Sequence, residues 1–230
     1  MPERAAVDHL VIAARSLDEG VQWCEATLGI VPGPGGAHPL MGTHNRLFSL
    51  ATPPFPCAYA EIIAIDPAAV PMRTALMKRW FDLDSAALRD SLARHGPQLI
   101  HWVARVPDLA DALRQWQTLG VERGPAMAAS RPTPRGLLEW QIAVRDDGQR
   151  LFDGGLPTLI QWGSVHPADA MPASGVTLHG LQLQHPEAPR LQAACDALDL
   201  QHVSIQTGPA QLAAMLDTPR GPVRLCAIPT

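Results

Sequence analysis

The residues best able to do chemistry are two histidines and a glutamate in strand-like stretches. His9 and His101 each open a short apolar run, and Glu61 lies inside the apolar run 58–65. An unpaired charge would be costly to bury there. Two imidazoles and one carboxylate suit Zn, Ni, Mn or Fe(II) and leave positions for substrate oxygens. The alternative is structural, with both histidines hydrogen-bonded in the core and Glu61 paired with an arginine such as Arg46.

A loop rich in glycine and proline supplies a second group of candidates. It carries His38, Thr43 and Asn45 on the sequence GGAHPLMGTHN. Loops on a rigid scaffold often hold recognition groups, so these three side chains are candidate substrate-binding residues. The alternative is a shaped turn, in which Asn and Thr bond to nearby backbone and Gly supplies positive φ.

Tryptophans and arginines on predicted strands and loops are the remaining candidates. Trp102, Trp140 and Trp162 either form an apolar pocket wall or fill the core, and Trp162 is our candidate for substrate contact. Arg131 and Arg135 would hold a substrate carboxylate in bidentate fashion, or they lie in a solvated loop.

These residues belong to a stretch that occurs three times. Starting at His9, His101 and His179, a short apolar run is followed by a polar break and a helical pattern. A unit of this size cannot bury its own apolar face and must pack against its copies. The place that Glu61 holds in the first unit falls near Gln161 in the second. In the third unit that place holds an arginine, Arg224, so no metal is expected there.

The pattern predicts β-α-β-β-β units. In the first, the predicted elements are strand 9–14, helix 17–28, a strand ending at 50 and strand 58–65. In the second they are strand 99–106, helix 109–119 and strands 137–144 and 156–162. In the third they are strand 176–184, helix 188–200, strand 201–206, a short Ala/Leu segment and strand 223–228. A helical connector over 66–98 is expected to pack outside the barrel.

Composition excludes several classes of protein. The chain has 230 residues, 47% of them hydrophobic and 17% charged, which is typical of a globular protein. A net charge of -4 without a Lys/Arg run argues against nucleic-acid and membrane partners. Four widely spaced cysteines, no signal-peptide pattern and no apolar run near ~20 residues predict a cytoplasmic protein.

Taken together, these motifs resemble the vicinal oxygen chelate superfamily, which includes glyoxalase I, extradiol dioxygenases and bleomycin-resistance proteins. More narrowly, the chain resembles a glyoxalase-like group whose motifs are here Asp8-His9, the GGxHPxxGTxN stretch 35–45, Glu61-Ile62-Ile63, Ile160-Gln161-Trp162 and His166-Pro167.

This resemblance implies an α+β fold in which repeated βαβββ modules form a half-open β cup. The predicted domain spans 6–172, with modules 6–66 and 98–164 and connector 67–97, and a third βαββ(β) module spans 175–230. The resemblance also implies a divalent metal ion (Zn, Ni, Mn or Fe) whose predicted ligands are His9, Glu61, His101 and Gln161.

The implied function is a metal-dependent isomerase or lyase. It would chelate a small substrate with adjacent oxygens while Glu61 moves a proton. An extradiol-type dioxygenase and a non-catalytic small-molecule binding protein of the resistance type are the alternatives. An unmatched apolar face on the third module predicts a homodimer, unless the connector covers that face.

Overall fold

The computed structural model describes residues 4–70, 77–133 and 136–228. Arg135, and residues 73–76 of the predicted helical pattern, lie outside the described residues. The elements are β1 (Ala6–Ala13), α1 (Leu17–Thr27), β2 (Ala37–His38), β3 (Thr43–Ser49), β4 (Tyr59–Ile65), α2 (Ala86–His95), β5 (Gln98–Arg105), α3 (Leu109–Thr118), β6 (Ala126–Thr133), β7 (Gly136–Ala143), β8 (Thr158–Trp162), β9 (Thr177–His185), α4 (Ala188–Ala197), β10 (Val203–Thr207), β11 (Gln211–Thr218) and β12 (Gly221–Cys226).

The first turns of α1 and α3 are capped by side chains. The Ser16 side chain accepts a hydrogen bond from the Glu19 N–H (3.2 Å) at the start of α1. Asp108 caps α3 in the same way, accepting from the Asp111 N–H at 2.8 Å. Such bonds satisfy N–H groups that lack a partner within the helix. Gly29 follows α1 with a φ of 76°, a conformation in which glycine is the least strained residue.

The first two units share one strongly curled sheet of eight strands in the order β2-β3-β4-β1-β5-β8-β7-β6. β1 lies parallel to β4 and antiparallel to β5, so the two units meet along β1 and β5. Together with the helices and a second sheet, this arrangement confirms the predicted α+β fold with a β cup. Across the described ranges, no helix is long and apolar enough to span a membrane.

The eight-stranded sheet has two buried faces because side chains alternate along each strand. On one face, Leu10 and Ile12 of β1 share a core cluster with Cys24 of α1, and we call this the helix face. On the other, Val11 and Ala13 pack with a different cluster, and we call this the cup face. The candidate site lies on the cup face.

The connector does not pack outside the barrel as expected. Trp80 and Phe81 are buried on the cup face, in the same cluster as Val11. Phe81 and Asp82 adopt φ values of 58° and 59°, and Arg150 Nε donates to Asp82 Oδ2 at 2.8 Å. Positive φ is uncommon for residues other than glycine. The connector turns inward because its aromatic side chains need burial, and it covers part of the cup.

The third unit keeps the element order of the first but not its strand pairing. Its sheet has the order β10-β9-β11-β12, in which the first strand, β9, is parallel to β10, the strand directly after α4. In the first unit β1 is instead parallel to the last strand, β4. The predicted short Ala/Leu segment is the inner strand β11. Arg224 consequently lies on an edge strand, where its Nη2 donates to Gln211 Oε1 at 2.7 Å.

The apolar face of this second sheet is covered by the same chain. Leu181 and Leu212 belong to the same buried cluster as Trp102 and Trp116. Trp116 Nε1 of α3 also donates to the Ala194 carbonyl of α4 at 2.7 Å. The uncovered face that motivated a homodimer is therefore buried against the helix face, and the homodimer itself stays a prediction.

Candidate functional site

A small cavity of about 40 Å³ lies on the cup face between the sheet and the connector. Its polar lining includes His9, His38, Asn45, Glu61 and Arg131. Aromatic rings form much of the remaining wall, namely Tyr59, Trp80, Phe81, Trp140 and Trp162. A few polar groups that converge within an apolar wall are typical of a small-molecule site.

A buried carboxylate orients His9. Asp8 is fully buried, and its Oδ1 accepts a hydrogen bond from His9 Nδ1 at 2.6 Å. Its Oδ2 accepts from His166 Nε2 at 2.9 Å and from Trp162 Nε1 at 3.0 Å. Because Nδ1 of His9 carries the proton shared with Asp8, its Nε2 presents a lone pair to the cavity.

Asp8 stays ionised despite its burial. Burial by itself raises the pKa of Asp8, but the hydrogen bonds from His166 and His9 outweigh it and hold the pKa well below its usual range. Tyr59, whose ring stacks on that of His9 with centroids 4.6 Å apart, has the opposite shift. Burial, with Asp8 and Glu61 nearby, raises the pKa of Tyr59 well above its ordinary value, so its hydroxyl stays protonated.

Glu61 faces His9 and is held in place by Asn45. Its Oε2 lies 3.7 Å from His9 Nε2, which is too long for a direct hydrogen bond. Its Oε1 accepts from Asn45 Nδ2 at 2.7 Å, while Asn45 Oδ1 accepts from the Gly36 N–H at 2.7 Å. The Gly36 bond fixes which end of the amide faces Glu61.

His38 completes this network through the glycine-rich loop. Its Nε2 lies 3.3 Å from Asn45 Nδ2, and its Nδ1 lies 3.1 Å from the Thr43 hydroxyl oxygen. The Asn45 amide donates, so His38 is neutral with its proton on Nδ1. Thr43 is fully buried and does not line the cavity. The loop is thus both a shaped turn and part of the site, which joins the two alternatives that the sequence left open.

Stability should fall in mild acid because His38 resists protonation. Burial lowers the pKa of His38 to about 4, with Glu61 opposing the shift and Arg131 adding to it. Since the folded pKa lies below the unfolded value of 6.5, the unfolded chain binds the proton first, and stability falls as pH drops from 6.5 to about 4. We expect His38→Gln to make the urea midpoint less dependent on pH in this window.

The control for this prediction is His179→Gln, because the His179 side chain is 54% exposed. It should leave the pH profile of the wild type unchanged. A His38→Gln profile as steep as that of the wild type would contradict the assignment.

His101 does not line the cavity with His9 and Glu61. Its Nδ1 donates to the Gly154 carbonyl (3.1 Å), and its Nε2 lies 3.1 Å from Arg123 Nη2 and accepts from the Thr158 N–H at 3.2 Å. Burial, followed by the charge of Arg123, lowers the pKa of His101 well below its ordinary value. Both ring nitrogens are occupied, and a guanidinium stands where a metal ion would have to bind.

Gln161 points to the opposite face of its strand. Its Oε1 accepts from the Leu109 N–H at 2.8 Å, at the start of α3, whereas its neighbours Ile160 and Trp162 line the cavity. The four predicted ligands therefore do not converge. Within residues 4–70, 77–133 and 136–228, no group of three or more His, Cys, Asp or Glu side chains is arranged to hold a metal ion. As placed here, the residues do not fit the implied metal site.

The tryptophans divide between the two predicted uses. Trp140 and Trp162 line the cavity, with ring centroids 5.8 Å apart. Trp102 is fully buried on the helix face, where its Nε1 donates to the Gly155 carbonyl at 2.8 Å. Trp162 also donates a hydrogen bond to Asp8, so it both lines the cavity and positions that carboxylate.

Sequence reasoning gave no role to four residues that shape this region: Asp8, Tyr59, Arg123 and His166. The sequence did contain a sign of two of these roles, because Asp8 and His166 both belong to the glyoxalase-like motifs. Asp8 is also an acid inside an apolar strand, where a charge requires partners. No sequence pattern indicated a role for Arg123, because it follows a helix in a stretch that predicts only a loop.

Comparison with known proteins places the chain in a family. The model of a glyoxalase-like domain matches residues 7–198. A hypothetical protein from Staphylococcus aureus has a similar crystal structure, with 14% identity, a TM-score of 0.59 and coverage of 90% of this chain and 88% of that one. That similarity supports the fold alone.

Other similarities are weaker. Methylmalonyl-CoA epimerase from Mycobacterium tuberculosis gives 17% identity and a TM-score of 0.39 over 71% of this chain and 91% of that one. A methylmalonyl-CoA epimerase in complex with methylmalonyl-CoA and NH4+ gives 17% identity and a TM-score of 0.42, over 74% of this chain and 100% of that one. A search of curated proteins found no match. The domain match covers most of the chain and confirms the resemblance predicted from its motifs: the protein belongs to the glyoxalase-like domain family.

Proposed function

We propose that the protein is an isomerase or lyase that moves a proton on a small substrate with adjacent oxygen atoms. One observation carries the proposal: Asp8 orients His9 so that its free Nε2 faces Glu61 Oε2 at 3.7 Å in the small cavity. Two proton acceptors at this separation can serve neighbouring positions of one substrate.

The chemistry follows from the two groups. Glu61 takes a proton from the carbon next to a carbonyl, and His9 takes the proton of the adjacent hydroxyl. Asp8 stabilises the imidazolium that forms, as a buried carboxylate does for a catalytic histidine. Return of the two protons to the exchanged positions completes an isomerisation in which no atom is gained or lost. Asn45 keeps Glu61 in position throughout.

This version of the proposal uses no metal. The predicted set of His9, Glu61, His101 and Gln161 does not meet at one point, and the Asn45 amide donates into the space between Glu61 and His38. An extradiol-type dioxygenase would need two histidines and a carboxylate on one metal. The metal-dependent form, the cytoplasmic location and the homodimer stay predictions, which metal analysis, cell fractionation and light scattering would test.

The test is proton exchange with solvent. Small 2-hydroxy ketones and 2-oxo acids are incubated with the protein in D2O, and loss of the carbon-bound proton is followed by NMR. We expect exchange in at least one of these compounds, and we expect the rate to survive dialysis against a chelator.

Two results would contradict this. Exchange that vanishes on chelation and returns with Zn, Ni, Mn or Fe(II) would favour the metal-dependent form. Tight binding of a compound without any exchange would favour the non-catalytic binding protein.

A further inference from the structure

Arg131 carries a buried nitrogen without a partner. The residue lies on β6, the edge strand of the eight-stranded sheet. Among the residues described, its Nη1 is buried and has no hydrogen-bond partner. A buried N–H of a charged group without an acceptor is costly, and a bound ligand can supply that acceptor.

Gly36 makes room for this guanidinium. A Cβ added at Gly36 would overlap Arg131 Nη1, and no positive φ explains the glycine. Gly35 serves a similar purpose on the other side, where an added Cβ would overlap the Asn45 carbonyl and side-chain oxygens. The paired glycines therefore allow the loop to approach both Arg131 and the Glu61 network closely.

Arg131 also borders a much larger groove. This groove has a volume of about 770 Å³ and shares Leu47, Arg131, Leu138 and Pro167 with the small cavity. Its size is within the range of ~300–1,000 Å³ that is usual for small-molecule sites. The wall is mostly apolar and includes Ile30, Phe48 and Met171.

Charge and exposure restrict what this groove can hold. Among the described residues that line it, Arg131 is the only Lys, Arg, Asp or Glu. Val31, which also lines it, is 64% exposed, so the groove is open to a ligand on that side. A ligand that matches the groove has one anionic group and an apolar chain.

We propose that Arg131 binds the carboxylate of an amphipathic substrate whose apolar chain lies in the groove. The planar guanidinium suits a carboxylate because it can donate two parallel hydrogen bonds. Placement of the reacting carbon beside His9 and Glu61 rests on the proposed function, whereas the binding of the carboxylate does not.

The experiment measures binding of octanoate by tryptophan fluorescence and by the shift in melting temperature. Three tryptophans line the adjoining cavity, so they should report the ligand. We expect octanoate to bind measurably better than 1-octanol, which lacks the charge, and better than acetate, which lacks the chain. Arg131→Gln should weaken octanoate binding about 10- to 100-fold, since a charge-assisted hydrogen bond contributes about 1.5–3 kcal/mol.

Matched variants separate this site from general damage. Arg131→Lys should bind with intermediate affinity, and Arg114→Gln, whose wild-type side chain is 66% exposed, should bind as the wild type does. Gly36→Ala should weaken binding independently because its methyl group displaces the guanidinium. Circular dichroism and the melting temperature without ligand would show that each variant folds.

The outcomes distinguish this inference from the proposed function. Wild-type affinity of Arg131→Gln for octanoate, or equal affinity of the protein for octanol, would overturn the inference. Octyl phosphate that binds through Arg131 where octanoate does not would overturn the carboxylate assignment. If octanoate binds through Arg131 but no compound exchanges a proton, the proposed function fails and this inference stands.

Discussion

Replacement of Glu61 by glutamine is expected to lower the rate of substrate proton exchange about 10³-fold, within the range usual for loss of a general base. Glutamine has nearly the same shape and keeps an oxygen that accepts from Asn45 Nδ2, so the geometry of the site should persist. What is lost is the ability to accept a proton from carbon. The rate is measured by NMR in D2O on a compound that the wild type exchanges.

Glu25→Gln is the matched control, because Glu25 is exposed on α1. Its exchange rate should equal that of the wild type. Glu61 would lose its assigned role if Glu61→Gln kept more than about a tenth of the wild-type rate, since removal of a general base costs at least about 10²-fold. Octanoate binding should be unchanged in Glu61→Gln, which would show that the variant is folded and that its ligand groove is intact.

Replacement of Asp8 by asparagine is expected to reduce the free energy of unfolding by about 3 kcal/mol, because the buried His9 and the partly buried Trp162 and His166 lose a charged acceptor. Asparagine also brings an NH2 group into the site, and Trp162 Nε1, which can only donate, cannot accept from it. His9 should lose its fixed tautomer, so exchange should fall together with stability.

The acid dependence of stability provides a second readout for Asp8. Its folded pKa is lowered, so its contribution is fully present above the unfolded pKa and is lost as pH falls through that value toward the folded one. In urea unfolding, the stability gap between wild type and Asp8→Asn should therefore be wide near pH 7 and narrower at about pH 3. Asp90→Asn, at an exposed position of α2, is the control. A gap that does not change with pH would contradict the assignment.

Much of the fold was predictable from the first two units. Repeated apolar runs and helical patterns predicted the β-α-β-β-β units, because periodicity is a local property. The cup that these units form was implied by the resemblance to the superfamily. The third unit looked like another copy, but its first strand pairs with β10 rather than with the last strand. Pairing depends on contacts between distant segments, which element order does not determine.

The candidate site was predictable only in part, for two physical reasons. Gln161 and Glu61 seemed equivalent, yet a shift of one residue places a side chain on the other face of a strand. His101 lies in β5 at the position that His9 holds in β1, the fourth residue of the strand, but Arg123 and Phe81 contact its ring. Neither partner is near His101 in sequence, so no local pattern could show that its nitrogens were already occupied.

The three hydrogen-bond donors to Asp8 also bear on the order in which the chain folds. Two of them, Trp162 and His166, lie 154 and 158 residues further along the chain. During synthesis β1 is made long before these residues, and burial of the Asp8 charge without them would be costly. We therefore expect β1 to pack into the core after the segment around β8 has been made. Assembly of the His9 site is thus a late event, and a nascent chain that ends before β8 should lack it.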